Sequence, residues 1–170
     1  GPDGFYRGKL ANKIVKDARV AGLLLSSSDF AEFHPEVHDS IAIKYRDFEI
    51  FQTPPNSTGF VMLQELKIFE NFDISKLNFN DPELIHLMVE AKKYAFLDRE
   101  RYGGDPRLIE VPINHILSNA HTSNLAEKID LGKAAMIPLL FDAQLAKETT
   151  YFSVVDRDGN AVSAIQSINS

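Results

Sequence analysis

The chain has 170 residues, 44% of them apolar and 25% charged, with a formal charge of −6 and no cysteine. That length supports one domain with a core of its own rather than two. The negative balance argues against nucleic acid as the main partner, and the lack of cysteine excludes thiol catalysis, zinc–thiolate sites and disulfides.

The composition is that of a soluble globular chain. No window approaches the roughly 18 apolar residues of a membrane span, and the first residues lack a basic-then-apolar signal pattern. No compartment is assigned, because a cysteine-free chain is compatible with any redox poise. The abrupt start, Gly1-Pro2-Asp3-Gly4, is read as a boundary within something longer. The basic cluster of Lys92, Lys93, Arg99 and Arg101 is interleaved with Glu90, Asp98 and Glu100 and reads as a solvated helix face.

In chain order, Tyr6, Leu10, Ile14 and Ala18 recur at helical spacing from Phe5 to about Arg19, with Gly22 as the stop. A short helix follows in "SSSDFAEF", capped by Ser28 or Asp29. The alternation Ile41, Ile43, Tyr45, then Phe48, Ile50, predicts a hairpin near 40–52, turning at Arg46-Asp47. "TPPNSTGF" is a loop, because its prolines lack amide donors and hold the chain extended. It lacks the lysine and glycine spacing of a P-loop, so its role is structural. A helix is expected from about Thr58 to Glu70, with Phe60, Leu63 and Leu66 inward.

The clearest helix is "NDPELIHLMVEAKKYAFLDRERYGG", with Asp81 as cap, Pro82 in the first turn and Gly103 or Gly104 at its end. His86 and Glu90 stand four apart on it, but no second ligand pair adjoins them, so a structural hydrogen-bonding role is expected rather than a metal. His34 and His38 read as surface residues. Asp98 and Arg99 read as helix-end electrostatics, and Asp105 as a turn anchor. Short helices are expected at 113–118 and 123–129, then a partly helical connector over 133–147.

The last segment, "AKETTYFSVVDRDGNAVSAIQSIN", contains two β-type runs around an acidic turn. The turn is either a two-residue Asp158-Gly159 loop or a three-residue Arg157-Asp158-Gly159 loop with Gly159 in the left-handed bulge position. A one-residue slip exchanges the faces of a strand. The three-residue loop pairs Thr149 with Ser167 and gathers Phe152, Val154, Val162 and Ala164 on one face, so it is preferred. It sets Thr149, Ser153, Ser163 and Ser167 on the other face, with Asn169 at the rim. Two strands alone are marginal in water, so this hairpin should need a sheet that the chain barely provides.

Thr-Thr before a strand is by itself ordinary β-propensity. A threonine hydroxyl needs a base to act as a nucleophile, and no histidine lies within twenty residues of Thr149. One remedy is the threonine's own α-amine, which exists only once the Glu148–Thr149 bond has been cut.

Five stretches together resemble the gamma-glutamyltranspeptidase family. "ETTYFSVVDRDGNAVSAIQSIN" is similar to its processing site, Thr-Thr-His-aromatic-Ser-Val-Val-Asp through Asp-Gly-Asn-Ala-Val. "FYRGKLANKIV", "AGLLLSSSDFAEF", "TPPNSTGF" and "HLMVEAKKYAFLDRERYGGDPR" resemble further family stretches in the family's order. The resemblance implies an N-terminal-nucleophile hydrolase that cleaves itself between Glu148 and Thr149. The fold class it implies is α+β: a mostly helical large-subunit portion with a β-hairpin, plus the first strands of an αββα sandwich, all a fragment of a larger fold. Residues 1–148 would be the later part of the large subunit and 149–170 the start of the small one. Thr149 is then the nucleophile, and Ser167 stands where a family threonine contacts it and assists processing. Asn169 matches the asparagine that binds the substrate α-amino group.

The implied substrate is a γ-glutamyl compound such as glutathione, the acyl group passing to water or an amino acid. The implied partners are the remainder of both subunits, and the reading allows a homo-oligomer. No metal or cofactor is expected. Oxyanion donors would lie beyond residue 170 and the arginine for the α-carboxylate before residue 1. The family is often periplasmic or extracellular. Tyr151 replaces the family histidine, Ser167 its threonine, and Pro54-Pro55-Asn56-Ser57-Thr58-Gly59-Phe60 departs from its Pro-Pro-Pro-Ser-Ser-Gly-Gly loop, which marks a divergent member. The alternatives are an amidase or acylase of the same superfamily, as on glutaryl side chains, and a non-catalytic helical assembly domain.

Overall fold

A computed structural model describes residues 1–137 and 149–167. It is an α+β structure of helices and two small antiparallel sheets, and its contacts divide it into two units, Gly1–Asp39 and Ser40–Ser170. Among the described residues no helix is long and apolar enough to cross a membrane.

The first unit holds three helices: α1 (Pro2–Tyr6), α2 (Lys9–Val20) and α3 (Ser27–Ala31). The single helix expected over 5–19 is thus two. They part at Gly8, whose missing side chain lets the backbone come close to the carbonyl of Gly4; a Cβ there would sit 3.1 Å from that oxygen. Ala11 and Val15 are buried on α2, while Leu10 is exposed, so the inward stripe is displaced by one residue from the one the apolar spacing suggested. Gly22 ends the segment in the left-handed region at φ +83°, as expected of a helix stop. Helix α3 is capped by Ser26 rather than Ser28 or Asp29: Ser26 Oγ accepts from the Asp29 amide and the Asp29 carboxylate accepts from the Ser26 amide at 2.7 Å. This is a reciprocal capping box. Tyr6 stacks on Phe33 and both Phe5 and Tyr6 meet Phe30, tying α1 to the α3 region.

In the second unit β1 (Ile41–Tyr45) and β2 (Phe48–Gln52) form the expected hairpin, pairing Tyr45 with Phe48 around Arg46-Asp47. The loop 53–58 folds on itself through Thr53 Oγ1 donating to Ser57 Oγ at 2.8 Å. Gly59 is required where it leads into the next helix, since a Cβ would lie 2.9 Å from both the Gln52 side chain and the Thr53 carbonyl. Helix α4 (Gly59–Phe69) buries Phe60, Val61, Leu63, Gln64 and Ile68; Leu66 is only half-buried. Helix α5 (Pro82–Tyr102) runs as expected to Gly103. Asp81 sits at its N-cap but does not cap it, because its carboxylate turns back to accept from the Asn78 amide at 2.7 Å. Helices α6 (Ile113–Ile116) and α7 (Asn119–Ala126) follow, the latter starting earlier than expected because Ser118 caps it by accepting from the His121 amide.

Two apolar clusters hold this unit. Ile68, Leu87 and Ala91 meet Leu125, Ala126 and Ile129 in one. Phe60, Val61, Ala95 and Ile116 form the other, with Ile41 of β1 against it. Burial of this kind contributes about 25 cal/mol per Å² of apolar surface. The connector expected over 133–147 lies outside the described residues from 138 onward, and no helix begins over 133–137.

The terminal sheet pairs β3 (Thr149–Val155) with β4 (Ala161–Ser167). Phe152, Val154 and Val162 of its apolar face are 54%, 56% and 60% exposed.

Candidate functional site

The turn fixes the site's geometry. Gly159 adopts φ +84°, and its amide donates to the Asp156 carbonyl at 3.2 Å. The Asp156 amide donates to the Asn160 carbonyl at 3.0 Å, closing the loop at three residues, 157–159. Asp156 organises this turn with its carboxylate. Oδ1 accepts from the amides of Asp158 and Asn160, both at 2.9 Å, and Oδ2 from the Asn160 side-chain amide at 2.8 Å. The bonds from Asn160 hold the Asp156 carboxyl below the ordinary aspartate range, against a small opposing effect of burial.

From that turn the ladder runs outward as the three-residue loop requires: Val155 pairs with Ala161, Ser153 with Ser163, and Thr149 with Ser167 at the open end. The expected register is therefore the one found. The contrast of faces is weaker than expected, since Tyr151↔Ile165 and Val155↔Ala161 lie on the same side as Ser153↔Ser163. That side alternates polar and apolar rungs, and Val155 and Ile165 on it are exposed. Glu148 and Asn169 lie outside the described residues.

Two polar clusters lie on the buried face of α5, and sequence reasoning missed the first. Asp98, 3% exposed, receives Gln64 Nε2 from α4 and His121 Nε2 from α7, each at 2.5 Å on Oδ2. It is a buried cross-brace between three helices, not helix-end electrostatics. The His115 ring lies against that of His121, with centroids 4.5 Å apart. Gln64 Oε1 is buried without a hydrogen-bond partner among the described residues. The available signal was spacing: Leu87, Ala91, Ala95 and Asp98 form one helical stripe, and Gln64 falls among the buried residues of α4.

The second cluster joins Glu90 to Lys93 at 2.6 Å and to the Ala135 amide at 3.0 Å. Burial raises the Glu90 pKa, but the bonds from Lys93 and Ala135 and the charge of Lys93 outweigh it and leave the group below its ordinary value. His86 Nε2 meets the Asp130 carbonyl at 2.9 Å. Both His86 and Glu90 thus take the structural hydrogen-bonding roles expected of them. His38 is exposed beside Glu36 at 2.7 Å. Asp105 anchors its turn by accepting from the Arg107 amide and guanidinium, which hold its carboxyl down at about 2. Among the described residues no group of three His, Asp or Glu side chains could hold a metal ion.

The family model described as Gamma-glutamyltranspeptidase matches residues 1–170. The chain is 36% identical over 174 residues to a glutathione hydrolase proenzyme of Escherichia coli, covering 99% of this chain and 30% of that protein. It is 34% identical over 170 residues to an acylase ACY 1 proenzyme of a Pseudomonas species, again covering 99% of this chain and 30% of the relative. The gamma-glutamyltranspeptidase of Helicobacter pylori superposes with a TM-score of 0.67 at 30% identity, over 76% of this chain and 38% of that one. The chain therefore spans about a third of the length of the curated relatives it matches. With a family model matched from end to end and a relative 36% identical across 99% of this chain, the chain belongs to the gamma-glutamyltranspeptidase family.

Proposed function

We propose that this chain carries the nucleophile of a self-processing γ-glutamyl hydrolase or acyltransferase. The observation that carries the reading is the pairing of Thr149 with Ser167 at the open end of the terminal hairpin, in a chain whose relatives are named proenzymes. Residues 1–148 are the later part of a large subunit and 149–170 the start of a small one. The hairpin is the beginning of the sheet of an αββα sandwich, whose remaining strands cover the apolar rungs Phe152, Val154 and Val162.

The Thr149 hydroxyl attacks the Glu148 carbonyl, the amide becomes an ester, and water releases Glu148 as a carboxylate with Thr149 at a new N-terminus. The freed α-amine then accepts the hydroxyl proton as Thr149 Oγ attacks the γ-carbonyl carbon of a substrate such as glutathione. The γ-amide C–N bond breaks, the substrate's amine leaves with the proton handed on by the α-amine, and a γ-glutamyl ester remains until water or an amino acid takes the acyl group. Ser167 hydrogen-bonds the nucleophile, and Asn169 binds the substrate α-amino group. The tetrahedral oxyanion is met by donors beyond residue 170, and the α-carboxylate by an arginine before residue 1.

Denaturing mass analysis of the full-length protein tests this reading. It should yield a fragment beginning at Thr149, absent in Thr149→Ala, and the cleaved protein should release glutamate from glutathione. A second reading, acylase action on a glutaryl-type side chain, draws on the acylase relative. Cleavage at Thr149 without release of glutamate favours it. An uncut, folded protein instead favours a non-catalytic assembly role and overturns both.

A further inference from the structure

Two Asp-Gly pairs occur in the chain, Asp3-Gly4 and Asp158-Gly159. Such a pair carries a latent reaction. The glycine nitrogen stands one ring closure away from the aspartate side-chain carbonyl carbon, and glycine has no Cβ to crowd the approach. The two pairs are held very differently.

Asp3-Gly4 lies within α1, where the Gly4 amide donates to the Gly1 carbonyl at 3.1 Å and the Asp3 carboxylate faces the Arg7 guanidinium at 3.6 Å. Asp158-Gly159 forms the tip of the terminal hairpin, and both residues are exposed. Among the described residues nothing restrains the Asp158 carboxylate by a hydrogen bond or an ion pair. Asp156 Oδ1 pins the amides on either side of Gly159, those of Asp158 and Asn160, at 2.9 Å each. The Gly159 amide between them makes the longest bond of the turn, 3.2 Å to the Asp156 carbonyl. A Cβ at Gly159 would meet nothing within 4 Å, so no neighbour screens the nitrogen. The least held amide of the turn therefore adjoins an unrestrained carboxyl group in open solvent.

We propose that Asp158 is a site of spontaneous isomerisation to isoaspartate, and that its conversion releases the register of the terminal hairpin. The Gly159 nitrogen attacks Asp158 Cγ. A C–N bond forms, the C–OH bond breaks, and the hydroxyl departs as water with the proton of the nitrogen. The cyclic imide then takes up one water, whose hydroxyl adds to a carbonyl carbon and whose proton goes to the nitrogen. Opening at Cγ restores aspartate, whereas opening at the former main-chain carbonyl leaves the chain running through Cβ and Cγ. Water is the only co-reactant.

Isoaspartate adds one carbon to the main chain between the two amides that share Asp156 Oδ1. That oxygen no longer reaches both, and the three-residue loop no longer fits the strands it joins. Loop length sets register, so a change at the tip is felt along the ladder to Thr149↔Ser167. Any effect on activity rests on the proposed nucleophile, but the isomerisation and the loosened ladder do not.

The test incubates the purified full-length protein and follows isoaspartate with time, located by peptide mapping after labelling with an isoaspartyl methyltransferase. The comparison variants are Asp158→Glu, which keeps the charge but must close a larger ring, and Asp158→Ala, which has no carboxyl group. Wild type should gain isoaspartate at 158 about tenfold faster than at Asp3, where a helical hydrogen bond must break first. In the converted molecules the amides of 150–166 should exchange about tenfold faster, as for loss of one turn hydrogen bond, while both variants keep their initial exchange. No isoaspartate at 158, or as much at Asp3, overturns the site. Conversion at 158 with unchanged exchange overturns its hold on register, as does equal loosening in Asp158→Glu. Absence of the Thr149 fragment from the full-length protein overturns the proposed function instead and leaves this reaction standing, so the failures are distinct.

Discussion

Asp98 is the most exacting place to test the description of the second unit, because a buried carboxylate there joins three helices through one oxygen. In Asp98→Ala, Gln64 Nε2, on a side chain 0% exposed, loses its acceptor, and His121 loses its partner as well. A buried donor left unpaired costs about 1–3 kcal/mol, and with the truncated volume the total is about 3–5 kcal/mol, the range seen when a buried pair loses one member. Asp98→Asn differs in kind. Its side-chain carbonyl can still accept from Gln64 Nε2 and meet His121, so the acceptor is kept while the charge is lost. The expected cost is about 1 kcal/mol. Urea denaturation followed by far-UV circular dichroism suits a chain without tryptophan. With a slope of about 2 kcal/mol per molar, Asp98→Ala should lower the midpoint by about 2 M and Asp98→Asn by about 0.5 M. Equal losses for the two substitutions would falsify the idea that the acceptor oxygen, rather than the charge, holds the brace. A loss below about 1 kcal/mol for alanine would refute the cross-brace altogether.

The first unit offers a local check: Ser26→Ala removes one half of the capping box and should destabilise α3 by about 1 kcal/mol, visible as faster amide exchange at Asp29 with the second unit unaffected. Asp105 gives a pH test. Its folded pKa is held down at about 2 by Arg107, below its unfolded value, so its stabilising contribution is complete above about pH 4 and is lost as pH falls through about 2. Side-chain NMR should report a midpoint near 2 for Asp105, moving into the ordinary aspartate range in Arg107→Gln. For Glu90, also shifted down, the sign is the same. Protection of the Ala135 amide should hold at neutral pH and fail on acidification below the ordinary glutamate range.

Elements with a strong local cause were legible in the sequence. Helix α5 carries a long apolar stripe with Pro82 in its first turn, and both hairpins follow from alternation around short turns. The misreadings share a physical source, the competition between groups for one hydrogen bond. Ser26 and Asp29 cap each other, so composition alone could not choose among three neighbouring serines. Asp81 has the right identity and place for a cap, yet Asn78 captures its carboxylate. Asp98 and Glu90 looked like surface charge because their partners, His121, Gln64 and the Ala135 backbone, come from elsewhere in the chain. Long-range pairing of polar groups leaves no periodic trace. At the candidate site the turn residues fixed the register from sequence, whereas the division into a polar and an apolar face was overdrawn, because Tyr151, Val155, Ala161 and Ile165 share the side of the serines.

That last point shifts the weight of the site onto the turn. In the observed register Thr149 opposes Ser167. A slip of one residue would break that pairing and send Ser167 to the other face. What prevents the slip is Gly159 at φ +84° together with the Asp156 carboxylate. A Cβ at Gly159 would meet nothing within 4 Å, so any cost of substitution there is conformational rather than steric crowding by neighbours. Gly159→Val should cost about 1–2 kcal/mol, and Gly159→Asn much less, since asparagine tolerates the left-handed region. If register governs the proposed chemistry, Gly159→Val should slow formation of the Thr149 fragment several-fold in the full-length protein, Gly159→Asn should nearly restore it, and Asp158→Ala should leave it unchanged. Valine cleaving as fast as glycine would mean that something other than this turn aligns Thr149 with Ser167, and the dependence of the site on the hairpin's own residues would have to be given up.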